Sequence, residues 1–264
     1  MQKNQDQKNP FGMRNPLRQI CTGTLLVLGV LGCAINANAQ KGAAVTPPPP
    51  PKWHGSAAAG LTLTRGNSDT LVVTGSIGTE KKWNQNELAF GANGSYGEQE
   101  GEKNIEVLHG FGQYNRLFGE RAFGLLRADA LHDAIADVEY RVTLSPGVGY
   151  YFIKNKTTFL RGEIGPGVTF EKQGRESTTY LTLRLAERLE HQLSKTAKLW
   201  QSAEILPEVG DWENYVVNAE IGLDVAINAR WSLRLYVQDT YDNEPAPSRE
   251  ANDIKLVAGL AYKF

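Results

Sequence analysis

From Trp53 onward, apolar and polar residues alternate in one segment after another. The last segment shows the pattern best. Ile254, Leu256, Ala258, Leu260, Tyr262 and Phe264 take every second position, with Lys255, Gly259 and Lys263 between them. A period of two marks a β-strand with one apolar and one polar face. Residues 215–227 repeat it: Tyr215, Val217, Ala219, Ile221, Leu223, Val225 and Ile227 oppose Asn218, Glu220, Gly222 and Asp224. In residues 140–152, Val142, Leu144, Val148 and Tyr150 oppose Arg141, Thr143, Ser145 and Gly149. Residues 71–79, 88–96, 158–170, 181–189 and 231–241 belong to the same class, and the pattern predicts about twelve strands in all.

These segments run to about 10–13 residues, longer than the usual strand of a soluble sheet and suited to a tilted membrane strand. No stretch beyond residue 36 approaches the roughly 18 unbroken apolar residues of a membrane helix. A chain of this kind crosses a membrane only as a closed barrel, which satisfies its backbone internally. The predicted fold is therefore all-β, a transmembrane antiparallel β-barrel of about twelve strands. Its connections alternate in length. Residues 119–120, 154–156 and 228–230 read as tight turns, whereas 98–104, 173–177, 207–214 and 242–252 read as longer polar loops. Short periplasmic turns and long outer loops are the habit of outer-membrane barrels, and an even strand number puts both termini on the short-turn side. The short stretch Gly66-Asn67-Ser68-Asp69 departs from that rule. Trp53, Trp83, Trp200 and Trp231 fall near the proposed periplasmic turns. Tyr96, Tyr140, Phe170, Tyr180, Tyr215 and Tyr241 fall near the outer ends. Two such girdles suit residues with an apolar body and a polar tip.

The region before the strands reads as export and spacing. Residues 1–39 hold a basic start, an apolar run over 20–35 and the small-x-small triplet Ala37-Asn38-Ala39, which predicts signal cleavage between Ala39 and Gln40. Val30-Leu31-Gly32-Cys33 offers the alternative of a lipidated Cys33. Residues 47–51 are five prolines, a stiff spacer that cannot be a ladder strand. The expected organisation is a signal peptide over 1–39, a Pro-rich periplasmic spacer over 40–52 and a barrel over 53–264. Both cysteines, Cys21 and Cys33, lie in the leader, which leaves the barrel without thiol chemistry. The full chain carries a formal charge of −1, and the leader takes four of its bases. The rest is net acidic, which argues against a nucleic-acid partner.

Ionised groups do not face lipid cheaply. Arg127, Asp129, Arg141, Arg161, Glu163, Arg184, Arg188, Glu220, Asp224 and Arg234 all fall opposite the apolar face and are the candidate lumen-lining set. Six arginines against four acids predict a slightly positive lumen that favours anions. Arg161, Glu163 and Arg184, and likewise Glu220 and Arg234, lie on strands expected to be neighbours. Their charges would then neutralise one another and plug the interior. A passive channel and a plugged structural barrel both remain open at this point. Hydrolase chemistry has little support: His132 and Ser145 take opposite faces, His109 and His191 have no evident serine partner, and no Gly-x-Ser-x-Gly elbow occurs. Glu98, Glu100 and Glu102 would align on an extended strand, and Glu208, Asp211 and Glu213 share another loop. Such clusters suit surface divalent cations, although no calcium-loop spacing appears.

Several motifs carry a family resemblance: Gly60-Leu61-Thr62-Leu63-Thr64-Arg65-Gly66-Asn67-Ser68, Ser95-Tyr96-Gly97-Glu98, Ser145-Pro146-Gly147-Val148-Gly149-Tyr150, Glu163-Ile164-Gly165-Pro166-Gly167, Leu185-Ala186-Glu187-Arg188-Leu189-Glu190-His191 and Tyr241-Asp242-Asn243-Glu244-Pro245-Ala246-Pro247. Over nearly all of residues 53–264 the chain resembles the salt-induced outer-membrane proteins, domain of unknown function family 481. The resemblance implies an outer-membrane barrel linked to salt stress, and brings no catalytic residues, metal or cofactor. The terminal residues Leu260, Tyr262 and Phe264 resemble the C-terminal signal read by the barrel-assembly machinery. The expected partners are that machinery, outer-membrane lipids and lipopolysaccharide, and small solutes.

Overall fold

In the computed structural model, residues 51–64 and 70–264 are described. The predicted signal, its cleavage point at Ala39 and Gln40, Cys33, most of the proline run and the Gly66–Asp69 stretch lie outside them.

Twelve strands follow one another in an antiparallel meander: β1 (Trp53–Thr64), β2 (Thr70–Trp83), β3 (Asn86–Gln99), β4 (Glu102–Phe118), β5 (Ala122–Asp133), β6 (Val138–Lys154), β7 (Thr158–Gln173), β8 (Glu176–Gln192), β9 (Ala197–Pro207), β10 (Tyr215–Ala226), β11 (Trp231–Asp242) and β12 (Asn252–Lys263). Each pairs with its sequence neighbour, and β1 pairs with β12 to close the barrel. The start of β1 and the end of β12 meet at one rim, where Gly55 and Phe264 exchange backbone hydrogen bonds of 3.1 and 3.0 Å. Phe264 also lays its ring over Gly55, where a Cβ would meet it at 2.6 Å. A terminal aromatic thus fills the space a glycine leaves at the closing edge.

Alternation decides which side chains face out. Leu61, Ile77, Phe90, Leu108, Leu126, Leu144, Ile164, Leu185, Ile221, Leu235 and Leu256 are all exposed on one register of the wall. A closed barrel with a continuous apolar outer belt is a transmembrane barrel, because that belt has no other favourable surroundings.

The strands are longer than the sequence suggests and the far rim is more tightly turned. The stretches 98–104 and 173–177 are not loops. They continue β3 into β4 and β7 into β8 through two-residue turns, Glu100-Gly101 and Gly174-Arg175. Glu100 and Gly101 both adopt positive φ (53° and 84°), and so does Gly174 (59°). Those conformations are the ones tight hairpins demand, so the glycines override the polarity that suggested a loop. Glu98, Glu100 and Glu102 consequently flank a turn and do not line one strand face. Glu98 instead accepts a hydrogen bond from the Tyr96 hydroxyl. The longer far-rim loops are residues 208–214 and 243–251.

Two aromatics leave the expected girdles. Trp200 is buried, and the ladder places it on the same face as Ser202 and Glu204, toward the interior. Its ring covers Gly222 and lies 5.7 Å from Tyr236. Tyr180 likewise points inward and donates to Glu171. Trp53, Trp231 and Tyr262 do face out at the terminal rim, with Trp231 and Tyr262 packed edge to face at 5.0 Å.

Candidate functional site in the barrel interior

The inward register follows strand by strand from the ladders. Arg127 and Asp129 on β5, Arg141 on β6, Arg161 and Glu163 on β7, Arg184 and Arg188 on β8, Glu220 and Asp224 on β10, and Arg234 on β11 all take it. The structure brings all of these except Glu220 into ion pairs, at three depths.

At the far rim, Arg141 donates to Glu171 at 2.8 Å and to Asp242 at 2.7 Å, while the Tyr180 hydroxyl donates to Glu171 at 2.5 Å. Arg141 is on β6 and Asp242 on β11, nearly opposite in a twelve-stranded wall. A circular section of twelve tilted strands would be roughly 24 Å across. An arginine and an aspartate together reach only about half of that span, so this bond pinches the rim into an oval.

At mid-depth, Glu163 is the hub. It accepts from Arg184 at 2.9 Å and from Gln113 at 2.9 Å, and pairs with Arg161 at 3.1 Å. Arg184 also donates to Glu204 at 2.6 Å. Gln113 belongs to β4 and Glu163 to β7, so this bond too crosses between strands that are not neighbours. Arg127 donates from Nη2 and Nε to the two carboxylate oxygens of Asp129, at 2.6 and 2.7 Å, and His109 reaches Asp129 at 3.4 Å.

Toward the terminal rim the filling turns apolar. Phe123, Tyr151 and Phe159 pack in sequence as tilted rings with centroids 4.9 and 5.3 Å apart, backed by Leu117 and Leu125. The Tyr151 hydroxyl donates to Glu87, carried across from β3. Elsewhere, Arg188 and Lys198 share Glu190 at 2.9 and 3.1 Å. Arg234 pairs with Asp224, directly opposite it in the ladder, at 2.8 and 3.0 Å. The expected Arg234–Glu220 pair is therefore replaced by Arg234–Asp224. Glu220 lies across from Gln238 and Ser202.

The interior is lopsided. Inward residues of β4–β8 are packed: Gln113, Asn115, Thr143, Ser145, Thr169, Thr182 and Arg184 are all buried. On the inward register of β1–β3, Ser56, Ala58, Thr74, Ser76, Asn93 and Ser95 are small, uncharged and not buried, and the charged Glu80, Lys82 and Glu87 lie toward the terminal rim. Ion pairs and rings occupy one side of the lumen, and a smooth, partly accessible wall forms the other.

The sequence reading missed Glu87, Glu171, Glu190, Glu204 and Asp242, which share the inward register with the named acids. Parity alone would have found Glu171, an even number of residues beyond Glu163. It was passed over because it stands near a stretch taken as loop, as was Asp242. Lys198, Asp253 and Lys255 take the inward register as well, and with all of these added the balance turns acidic, ten acids to eight bases. The predicted positive lumen is corrected by that count.

The hydrolase candidates stay apart. His132 faces out, its Nδ1 2.8 Å from the Glu139 carbonyl, while Ser145 is buried inside. Asp133 caps the following turn through Ile135 and Ala136. Among the described residues no group of three or more His, Cys, Asp or Glu is arranged to hold a metal ion. Asp211 and Glu208 spend their carboxylates on the loop itself, on the Glu213 amide and the Asn214 side chain.

A family model described as "Protein of unknown function, DUF481" matches residues 57–264. The "Uncharacterized protein YdiY" of Escherichia coli (strain K12) is 28% identical over 153 residues, 57% of this chain and 56% of that protein. The chain thus spans about half the length of that curated relative. Among solved structures, the NanC porin is similar with a TM-score of 0.48 at 6% identity, over 80% of this chain and 96% of its own. The KdgM porin gives 0.45 at 8% identity, over 81% and 99%. The translocator domain of autotransporter NalP from Neisseria meningitidis gives 0.41 at 16% identity, over 80% and 87%.

Proposed function

Because the chain belongs to the DUF481 family, proteins of unknown function, we propose a role from the interior itself: a narrow passive conduit of the outer membrane for small hydrophilic solutes and ions, with a preference for cations. The lopsided lumen carries this reading. Small, partly accessible residues on β1–β3 leave a wet path beside a wall of ion pairs. Charge lining a narrow low-dielectric passage selects by sign, and the inward acids outnumber the bases. The placement in the outer membrane rests on the barrel, its apolar belt and the exported character of the leader.

The cross-lumen bond of Arg141 to Asp242 favours a second reading, a barrel that is closed at rest and serves the envelope structurally. Recording from refolded protein in a planar bilayer separates the two. Small unitary steps, with a reversal potential in a potassium chloride gradient that favours the cation, are expected. Arg141→Ala is expected to enlarge the steps, because it releases the pinch at the far rim. Folded protein that passes no current in either form overturns the conduit in favour of the closed barrel.

A further inference from the structure

We propose that the outer face of β8 and β9 docks a second copy of this chain, related to the first by a two-fold axis along the membrane normal. Among the described residues, the outward register is apolar over the body of the wall, and its charges stand near the strand ends. Lys81, Arg116 and Lys154 lie toward the terminal rim, Glu98 and Lys172 toward the far rim, and Asp239 one outward position from Tyr241. Glu187 is the exception. It shares the outward register of β8 with Leu181 and Leu185, which are exposed, while Thr182 and Arg184 of the alternate register are buried inside. Leu185 and Leu189 flank it along the strand, so its carboxylate stands within the belt and not at a rim.

An acid in hydrocarbon is costly and calls for a partner. The ladder supplies one. Gln201, on the outward register of β9, donates from Nε2 to Glu187 Oε1 at 2.5 Å. That bond leaves a remainder on each side. The Gln201 amide carries a second N–H and the carboxylate a second oxygen, and neither makes a further hydrogen bond among the described residues. A spare donor beside a spare acceptor is a self-complementary patch, which an isologous contact uses twice. Each Gln201 can reach Glu187 of the other copy, and each Glu187 is reached in return. Polar contacts of this kind hold transmembrane elements together, because lipid competes equally for their apolar groups.

The geometry of the wall meets the symmetry. A two-fold along the membrane normal preserves depth, so the donor and the acceptor must lie side by side at one depth. Counted from the terminal rim, Glu187 is five residues into β8 and Gln201 four into β9. They occupy one diagonal of the ladder, Glu187 opposite Ala203 and Gln201 opposite Leu189. With strands tilted about 40°, that diagonal runs nearly level and sets the two residues roughly 8 Å apart along the wall. The other diagonal, Leu189 to Ala203, is then nearly upright and falls on the axis. Ala203 and its neighbour Ala219 on β10 carry only methyl groups, which lets two walls approach.

The test is cross-linking in the membrane. The full chain with Ala203→Cys is produced in a Gram-negative outer membrane and treated with a short, membrane-permeant bis-maleimide. Ala92→Cys, outward on β3 at the opposite wall, is the control and carries the same leader thiols, Cys21 and Cys33. A product of twice the chain mass is expected for Ala203→Cys and not for Ala92→Cys. Adding Gln201→Leu removes both symmetry-related bonds and is expected to lower that product about tenfold. Glu187→Leu, which restores the residue type of the surrounding belt, is expected to do the same while the barrel keeps its compact mobility on an unheated gel. Cross-linking of Ala203→Cys no greater than that of Ala92→Cys overturns the dimer. So does a product that contains a different protein, or a dimer that persists undiminished in both leucine variants. The contact does not depend on conduction through the lumen, so the dimer and the conduit stand or fall separately.

Discussion

Replacing Arg184 with alanine is expected to destabilise the barrel by about 3 kcal/mol, the lower end of the cost of breaking a buried ion pair. The side chain of Arg184 is only 5% exposed and serves two carboxylates, Glu163 at 2.9 Å and Glu204 at 2.6 Å. Glu163 is itself buried, so removing the arginine leaves a carboxylate with half its positive partners and no ready access to water. The lower end of the range applies because Arg161 and Gln113 remain beside Glu163. The effect is read as a fall in the temperature at which folded protein loses its compact mobility on a gel, or as an earlier urea midpoint. Glu163→Gln in the same background is expected to recover part of the loss, since it removes the orphaned charge. Lys82→Ala at the exposed Lys82–Glu80 pair is expected to change nothing measurable. Equal stability of wild type and Arg184→Ala would mean that lumen water solvates this network fully.

How much of this was legible beforehand depends on what each property requires. Period-two alternation exposes strand number and face directly, because the face of a residue depends only on its own parity. That is why the twelve strands and the inward setting of residues such as Arg127 and Asp224 follow from the sequence. Turn tightness depended on φ at single residues. Gly101 and Gly174 sat inside polar stretches that resemble loops, and only their backbone conformation shows two-residue hairpins. Trp200 was misplaced for another reason: tryptophan near a strand end suggests a girdle, yet here Gly222 on the next strand leaves a bay for its ring inside. Pairing across the lumen was out of reach. Arg141 and Asp242 are 101 residues apart in sequence, and their bond depends on how far the barrel departs from a circle.

The interior also shows how a wall with no conventional core holds bulky groups. Phe111 lies over Gly91, Phe123 over Gly149 and Trp200 over Gly222, each ring occupying the volume of a missing side chain on the adjacent strand. Rings laid flat against the wall take little of the lumen. The glycines of this chain are therefore part of its interior design, and the demand is most severe where two backbones meet.

Gly165→Ala is accordingly expected to yield no folded barrel. β6 and β7 meet at Ser145-Pro146-Gly147 and Gly165-Pro166-Gly167, where two prolines without N–H groups interrupt the shared ladder between Leu144↔Val168 and Val148↔Ile164. Across this gap the backbones close in. A Cβ on Gly165 would stand 2.1 Å from the Pro146 carbonyl oxygen and 2.6 Å from the Gly147 Cα. Both obstacles are backbone, so no rotamer change relieves them. Neither strand is free to retreat, because β6 remains paired with β5 through Gly147↔Leu125, and β7 with β8 through Gly165↔Arg184. Any shift of β7 would moreover drag Glu163, and with it the mid-depth network. Gly75→Ala is the matched control, since a Cβ there meets nothing within 4 Å. Refolding in detergent followed by gel mobility without heating is expected to show a compact species for Gly75→Ala and only the unfolded band for Gly165→Ala. A compact Gly165→Ala barrel of undiminished stability would show that β6 and β7 do not approach as closely as the twin Pro-Gly segments require.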